Sequence, residues 1–447
     1  MKCFVIWLSG CLWLNAQAAV PIQHWETEAG ARVYFVPTHH LPMIDARVDF
    51  AAGSSFDPQD KSGVALLTAA LLDLGAGNMD ETGIAERLAD AGAQLSSGVG
   101  KDRASVSLRT LSLAEHREPA LAVMQQVLQS PRFEKKVVQR ERERAVSGLK
   151  DSLSRPATLA ARAFWRELYP RHPYGRQHTV ESLSSIDRED LLSFYRRYYR
   201  ANNATVSLVG DLSRAEAELV ARRLTDGLAA RQLNKPGNST APAFVSDDPL
   251  TTLPGQVNSG EHFIAHPAEQ AHILLGLPAV VKGSPDYYAL LLGNYTLGGG
   301  GFVSRLMREV REKRGLAYSV YSYFSTLREP GPFRIGLQTK KSQTREALTV
   351  VRKVLEAFIA TGPKADELKA AKANIIGGFP LGLDSNAKLL ANVATIGFYG
   401  LPLDYLDTFQ DKLRAVSADE VRRAFARYVR PEALAVIVVG ISASDKP

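Results

Sequence analysis

The feature that most constrains the fold is an internal repeat. Residues 194–210 read FYRRYYRANNATVSLVG and residues 424–440 read AFARYVRPEALAVIVVG. With a constant offset and no gap, Arg197 falls on Arg427, Tyr198 on Tyr428, Arg200 on Arg430 and Gly210 on Gly440, while Val206 and Val209 fall on Val436 and Val439. Each copy reads as an amphipathic helix, a short turn and a β-branched strand closed by glycine. A weaker match joins LLDLGAG (71–77) to NYTLGGG (294–300). In a chain of 447 residues this predicts two domains of one fold. The stretch 230–261 is rich in Pro, Gly, Ser, Thr and Asn and has no helical period, so it is expected to link a domain at 19–229 to one at 262–447.

Within the first half, ARVYFVP (31–37) and ARVDFAA (46–52) alternate like paired strands. GVALLTAALLDLG (63–75) is apolar nearly all round, which predicts a buried helix closed by Gly75. A short amphipathic helix is expected from Thr82, a strand at 104–112, and long helices near 115–129 and 133–154. The second half repeats the order, with a strand (272–278), helices (284–297 and 303–314), strands (316–325 and 333–340) and further helices. Strands, hairpins and long helices in this mixture predict α+β domains.

Composition removes several function classes. Hydrophobic residues make up 45% and charged residues 23%, which is the balance of a globular chain and excludes disordered and collagen-like classes. The net charge of +7 arises from 54 basic and 47 acidic residues that are interspersed. The most basic stretch, RFEKKVVQRERER (132–144), is interrupted by Glu134, Glu141 and Glu143 and has no interleaved aromatics to stack bases. It reads as an exposed helix with internal ion pairs, and no nucleic-acid partner is expected. The N-terminal MKCFVIWLSGCLWLNAQAAV has an early cation, an apolar stretch and Ala16-Gln17-Ala18, the pattern of a secretory signal peptide cut after Ala18. Leu8-Ser-Gly-Cys11 gives a second reading, a lipoprotein box at Cys11. Both cysteines, Cys3 and Cys11, lie in this segment, so a chain cut at Ala18 has no thiol chemistry. No later stretch reaches the ~18 apolar residues of a membrane helix. The expectation is an exported, periplasmic protein without stable membrane insertion.

Three segments carry a family resemblance. FAAGSSFDPQDKSGVALLTAALLDLGAGNMDETGIAERLADAGAQLSS (50–97), His172-Pro-Tyr-Gly175, and Leu297-Gly-Gly-Gly-Gly-Phe-Val-Ser-Arg-Leu306 with Arg311-Glu-Lys-Arg-Gly-Leu-Ala-Tyr318 resemble the M16 family of pitrilysin, insulinase and the mitochondrial processing peptidase. The resemblance spans nearly the whole chain after the leader. It implies two homologous α+β domains, each a mostly antiparallel sheet packed with helices. Active members carry His-x-x-Glu-His on the buried helix, because two imidazoles one turn apart face one zinc ion and the Glu acts as base. Here the three positions align with Leu66, Ala69 and Ala70. The stretch matching the third ligand, Ala145–Asp151, has neither Glu nor His. The resemblance therefore implies a peptidase scaffold without its metal, and no cofactor of its own.

None of the nine histidines offers a replacement site. His39 and His40 are adjacent and chelate poorly, and Pro267 argues against a helix bearing His262 and His266. What the resemblance retains is in the second half. There an Arg and a Tyr seven residues apart contact substrate in the family, and Arg311 and Tyr318 have that spacing. A guanidinium holds a carbonyl or carboxylate through fixed donors, and a phenol donates to an oxygen that becomes negative. Taken alone, Arg311 reads as a solvated helix-end charge and Tyr318 as a packed strand aromatic. Gly298, Gly299, Gly300 and Gly301 lack the following Gly-Lys-Ser/Thr of a phosphate loop, and read instead as a loop that lets backbone approach an extended ligand.

In two-subunit members of the family one subunit holds zinc and the other does not. The resemblance implies that this chain is the zinc-less, substrate-binding subunit, with zinc on a partner homologue and with unfolded peptides bound as an added strand. The rival reading is a non-enzymatic peptide-binding scaffold acting as a homodimer. An independent serine hydrolase has no support, since no Gly-x-Ser-x-Gly elbow is present.

Overall fold

A computed structural model describes residues 20–228 and 257–441. The expected signal peptide, with Cys3 and Cys11, and most of the expected linker lie outside the described residues. The first half contains strands β1 (Gln23–Glu26), β2 (Arg32–Pro37), β3 (Met43–Phe50), β4 (Gly75–Ala76), β5 (Met79–Asp80), β6 (Gln94–Val99), β7 (Ala104–Leu111) and β8 (Ala204–Gly210). Its helices are α1 (Val64–Leu71), α2 (Glu81–Asp90), α3 (Ala114–Gln129), α4 (Lys135–Ser152), α5 (Pro156–Leu168), α6 (Val180–Ser185), α7 (Arg188–Tyr198) and α8 (Arg214–Thr225). The second half has β9 (Gly260–Ile264), β10 (Gln270–Val280), β11 (Val320–Phe324), β12 (Gly331–Lys340) and β13 (Ala435–Val439). Its helices are α9 (Tyr287–Asn294), α10 (Thr344–Thr361), α11 (Ala365–Gly378), α12 (Asn386–Tyr399), α13 (Tyr405–Ala415) and α14 (Ala418–Tyr428).

The duplication is visible in the sheets. The first runs β1-β2-β8-β3-β7-β6 and the second β11-β12-β10-β13-β9. Without β1, the two orders coincide, and each contains one parallel pair, β2 with β8 and β9 with β13. The repeated segment forms equivalent units. α7 leads through a 3-10 turn (Ala201–Asn203) into β8, and α14 leads through another (Pro431–Ala433) into β13. Both helices start on capping boxes, Asp187 with Asp190 and Ser417 with Glu420, which satisfy amides that a helix leaves unpaired at its start. The closing glycines have φ of +142° and +127°, which disfavours any residue with a side chain. The weaker match also holds, since Leu71 ends α1 and Asn294 ends α9.

Several local expectations are corrected. β2 and β3 share a sheet but are not neighbours, because β8 lies between them. β8 is buried at every position and belongs at the centre. The buried helix ends at Leu71 rather than Gly75. Gly75 instead opens the β4–β5 hairpin, where its carbonyl accepts from the Arg132 amide at 2.9 Å. β9 starts at Gly260, inside the stretch expected to be linker, because its backbone pairs with β13. The helix expected at 284–297 turns π-helical over Tyr295–Gly299, and the one at 303–314 becomes a 3-10 turn (Gly301–Val303) and a π segment (Met307–Glu312). The strand expected at 316–325 begins only at Val320, so Tyr318 precedes it.

The halves exchange one helix each. α5 of the first half buries Ala160, Ala163, Phe164 and Leu168, at helical spacing, against Leu274, Ala435, Ile437 and Val439 of the second sheet. α12 of the second half buries Leu389, Leu390, Val393 and Ile396 against Tyr34, Val36 and Val209 of the first. Each fully buried Phe or Leu side chain contributes about 1.5–3 kcal/mol, so the exchange couples the two halves strongly. Among the described residues, no helix is long and apolar enough to cross a membrane.

Candidate functional site

The positions of the family's zinc motif do not fit a metal. α1 is held at its start by Asp57, whose carboxyl oxygens accept from the amides of Gly63 (2.7 Å) and Ala65 (2.8 Å). Along it Leu66 is half-buried, Ala69 is buried and Ala70 is exposed. Zinc takes its ligands from nitrogen, oxygen or sulfur atoms, and these three side chains are hydrocarbon. α4, which packs on α1, presents Ala145 and Val146 to the first core and pairs Asp151 with Arg155 at 2.8 Å. Among the described residues, no group of three His, Cys, Asp or Glu side chains could hold a metal ion.

Arg311 and Tyr318 are brought together. The Arg311 guanidinium carbon lies 4.8 Å from the Tyr318 ring centroid and 4.8 Å from that of Phe302. The cation is thus clamped between two aromatic faces. Neighbouring cations are neutralised elsewhere, with Lys313 and Arg314 both on Glu309, at 2.7 and 2.8 Å. No carboxylate lies within ion-pair distance of Arg311 among the described residues. Tyr318 is 84% exposed, which overturns its packed-strand reading, and Phe302 is 64% exposed. This leaves one face of the clamp and the phenol directed to solvent, where they can grip a chain and donate to its carbonyls.

The glycine run packs closely on the protein itself. A Cβ at Gly298 would sit 2.5 Å from Ser322 Oγ, and one at Gly299 2.5 Å from Asn294 Nδ2. One at Gly300 would lie 2.7 Å from the Tyr295 carbonyl oxygen. At these three positions a side chain would strike the protein's own atoms. They let Asn294 bond both Ser322 O (3.0 Å) and Ser322 Oγ (2.7 Å), which anchors edge strand β11 beside the clamp. Only Gly301, with φ of +62° and nothing within 4 Å, is open. Phe302 was legible only as the residue after this run.

The HPYG segment lies at the joint between the halves. The Tyr174 hydroxyl donates to Asp102 Oδ1, and the Tyr399 hydroxyl (2.9 Å) and the Arg328 amide (2.9 Å) donate to Asp102 Oδ2. The Tyr169 hydroxyl donates to Pro330 O at 2.8 Å. Lys101 donates to Tyr174 O at 2.6 Å, and burial lowers its ammonium to about 8. Burial, with Arg176 adding to it, lowers His172 to about 4, while burial pushes Asp57 up to about 6. The two oppose each other in acid. The unfolded chain protonates His172 before the folded one does, so stability from His172 is present above about 6.5 and lost as pH falls towards 4. The folded chain protonates Asp57 first, so Asp57 adds stability as pH falls from about 6 towards 3.8. His172→Gln removes the first effect only. Denaturation at pH 7 and pH 4.5 should show the variant gaining roughly 1–2 kcal/mol relative to the unchanged chain over that interval; an unchanged difference would refute the assignment.

A cavity of about 830 Å³ lies away from this site, between α9, α13 and α14, and includes Lys282, Tyr287 and Lys412. Tyr318 borders a smaller one, about 300 Å³.

Comparison with known proteins identifies the family. Residues 35–178 match the family model described as Insulinase (Peptidase family M16), and residues 185–375 match the Peptidase M16 inactive domain. A Helicobacter pylori protein named Non-peptidase homolog YmxG is 26% identical over 451 residues, spanning all of both chains. A crystal structure of a peptidase M16 inactive domain from Pseudomonas fluorescens superposes with a TM-score of 0.87 at 35% identity, over 95% of this chain and 100% of that one. The periplasmic protease PqqL from Escherichia coli shares the fold, with a TM-score of 0.76 at 16% identity, over 94% of this chain and 45% of that one. The chain belongs to the M16 peptidase family.

Proposed function

We propose that this chain is the non-catalytic, substrate-binding subunit of a periplasmic, heteromeric M16 zinc endopeptidase that degrades or processes unfolded peptides. One observation carries the reading: the metal positions are hydrocarbon, whereas Arg311 and Tyr318 form an exposed clamp beside β11, an edge strand among the described residues. A scaffold that had lost all contact with peptide has no use for an unneutralised cation stacked between two exposed rings. Zinc belongs to a homologous partner, and substrate is held as an added strand along β11. The test is purification of the tagged chain from native periplasmic extract, with zinc content and peptidase activity measured on the eluate. A co-purifying zinc-bearing homologue with activity is expected. Elution alone, metal-free and inactive but still binding peptide, would replace this reading with that of a homodimeric scaffold.

A further inference from the structure

The 300 Å³ groove beside Tyr318 runs between α5 and β11, with Ala157, Ala160, Leu274, Tyr321 and Arg334 on its walls. The Tyr321 ring lies over Gly336 of the neighbouring strand, a position with no side chain to displace it. Arg334 on β12 is opposite Tyr323 in register and is surrounded by rings, with Phe164, Tyr321 and Tyr323 centroids 5.7, 5.9 and 5.6 Å from its guanidinium carbon. Among the described residues its guanidinium donates to hydroxyls alone, from Nη1 to Tyr323 (3.0 Å) and from Nη2 to Tyr321 (3.1 Å). Its Nε is buried without a partner, and no carboxylate pairs with it among the described residues. Of the five N–H groups of a guanidinium, two are used and one is sealed, which leaves one on each Nη. That pair is what a carboxylate accepts in a bidentate bond.

We propose that this groove is a carboxylate subsite, in which Arg334 binds an acidic side chain or the C-terminal carboxylate of a peptide held at Tyr318. The inference rests on the peptide-binding reading and gives it a substrate class. Aromatic faces attract a cation but leave its charge in place. Arg334 is half-buried, and a planar guanidinium with free donors is matched by an anion of planar geometry. The groove volume suits one side chain, and Tyr318 belongs to both groove and clamp, so a peptide gripped at Arg311 passes the mouth of the groove.

The test uses three fluorescent peptides of one apolar sequence and the full chain, read by anisotropy. The first has a central Glu with a blocked C-terminus, the second Gln with a blocked C-terminus, and the third Gln with a free C-terminal carboxylate. At least tenfold tighter binding of the first or the third over the second is expected, and which of them binds tighter identifies the carboxylate's source. Arg334→Gln should abolish the difference and Arg334→Lys should reduce it, whereas Lys412→Gln, which removes a charge from the larger cavity, should leave it. The peptide comparison on the unchanged chain does not depend on any variant folding. Equal binding of all three overturns the carboxylate subsite while peptide binding stands. A preference that survives Arg334→Gln in a folded variant also overturns it. Binding of none refutes the peptide-binding reading itself.

Discussion

In the peptidase complex proposed above, replacing Tyr318 by Phe should lower kcat about a hundredfold and leave KM nearly unchanged. The phenol hydroxyl is the only atom removed, and loss of one donor to a developing oxyanion typically reduces kcat by about 10²–10³. Tyr318 is 84% exposed, so the fold does not depend on it, and the melting temperature should not move. The ring itself remains, so the clamp around Arg311 persists. Arg311→Ala should behave differently. It empties the space between Phe302 and Tyr318 and removes a binding cation, so KM rises at least as much as kcat falls. Steady-state kinetics on the reconstituted complex separate the two variants. A Tyr318→Phe complex with kcat within twofold of the parent would remove Tyr318 from the chemistry and leave it a packing partner of Arg311.

The repeat was legible because it is local. Arg197–Gly210 and Arg427–Gly440 each specify helix, 3-10 turn, strand and a left-handed glycine within one short segment, and the structure builds both alike. The absence of donors at Leu66, Ala69 and Ala70 is a property of side-chain chemistry and needed no coordinates. What the sequence could not reveal was which surfaces meet. The apolar stripe of α5 announces a buried face, but nothing in 156–168 says that the face lies on the other half's sheet. β8 enters between β2 and β3 from more than 150 residues away. Arg334 is an unremarkable strand cation until cross-strand register sets it between Tyr321 and Tyr323. The close packing of the glycine run was hidden for a related reason. Gly298 looks like a place for a ligand to approach, but Ser322 of the neighbouring strand already occupies that position.

That dependence on distant contacts makes Asp102 the residue whose loss should destabilise the chain most. Asp102 is 4% exposed and accepts from donors on three separated segments: Tyr174 of the HPYG turn, Tyr399 at the end of the exchanged helix α12, and the Arg328 amide. The Glu329 amide in turn donates to the Tyr174 hydroxyl at 3.2 Å. Asp102→Ala leaves all three donors without the carboxylate that they share. Each orphaned group costs about 1–3 kcal/mol. They share one acceptor, so the losses do not add fully, and a total of about 3–5 kcal/mol is expected. Asp102→Asn keeps one acceptor oxygen and should lose less than half of that. Trp165, stacked on Tyr169 with ring centroids 5.3 Å apart and edge-on to Tyr174, reports the joint by fluorescence. Urea melts followed there and by far-ultraviolet circular dichroism should diverge in Asp102→Ala, because a loosened joint lets the halves unfold at different denaturant concentrations. Asp384→Ala, which removes an exposed i,i+4 pair with Lys388, gives the surface comparison and should change stability by less than about 0.5 kcal/mol. A loss below about 1 kcal/mol at Asp102, with coincident transitions, would mean that the apolar surfaces of α5 and α12 hold the halves together unaided.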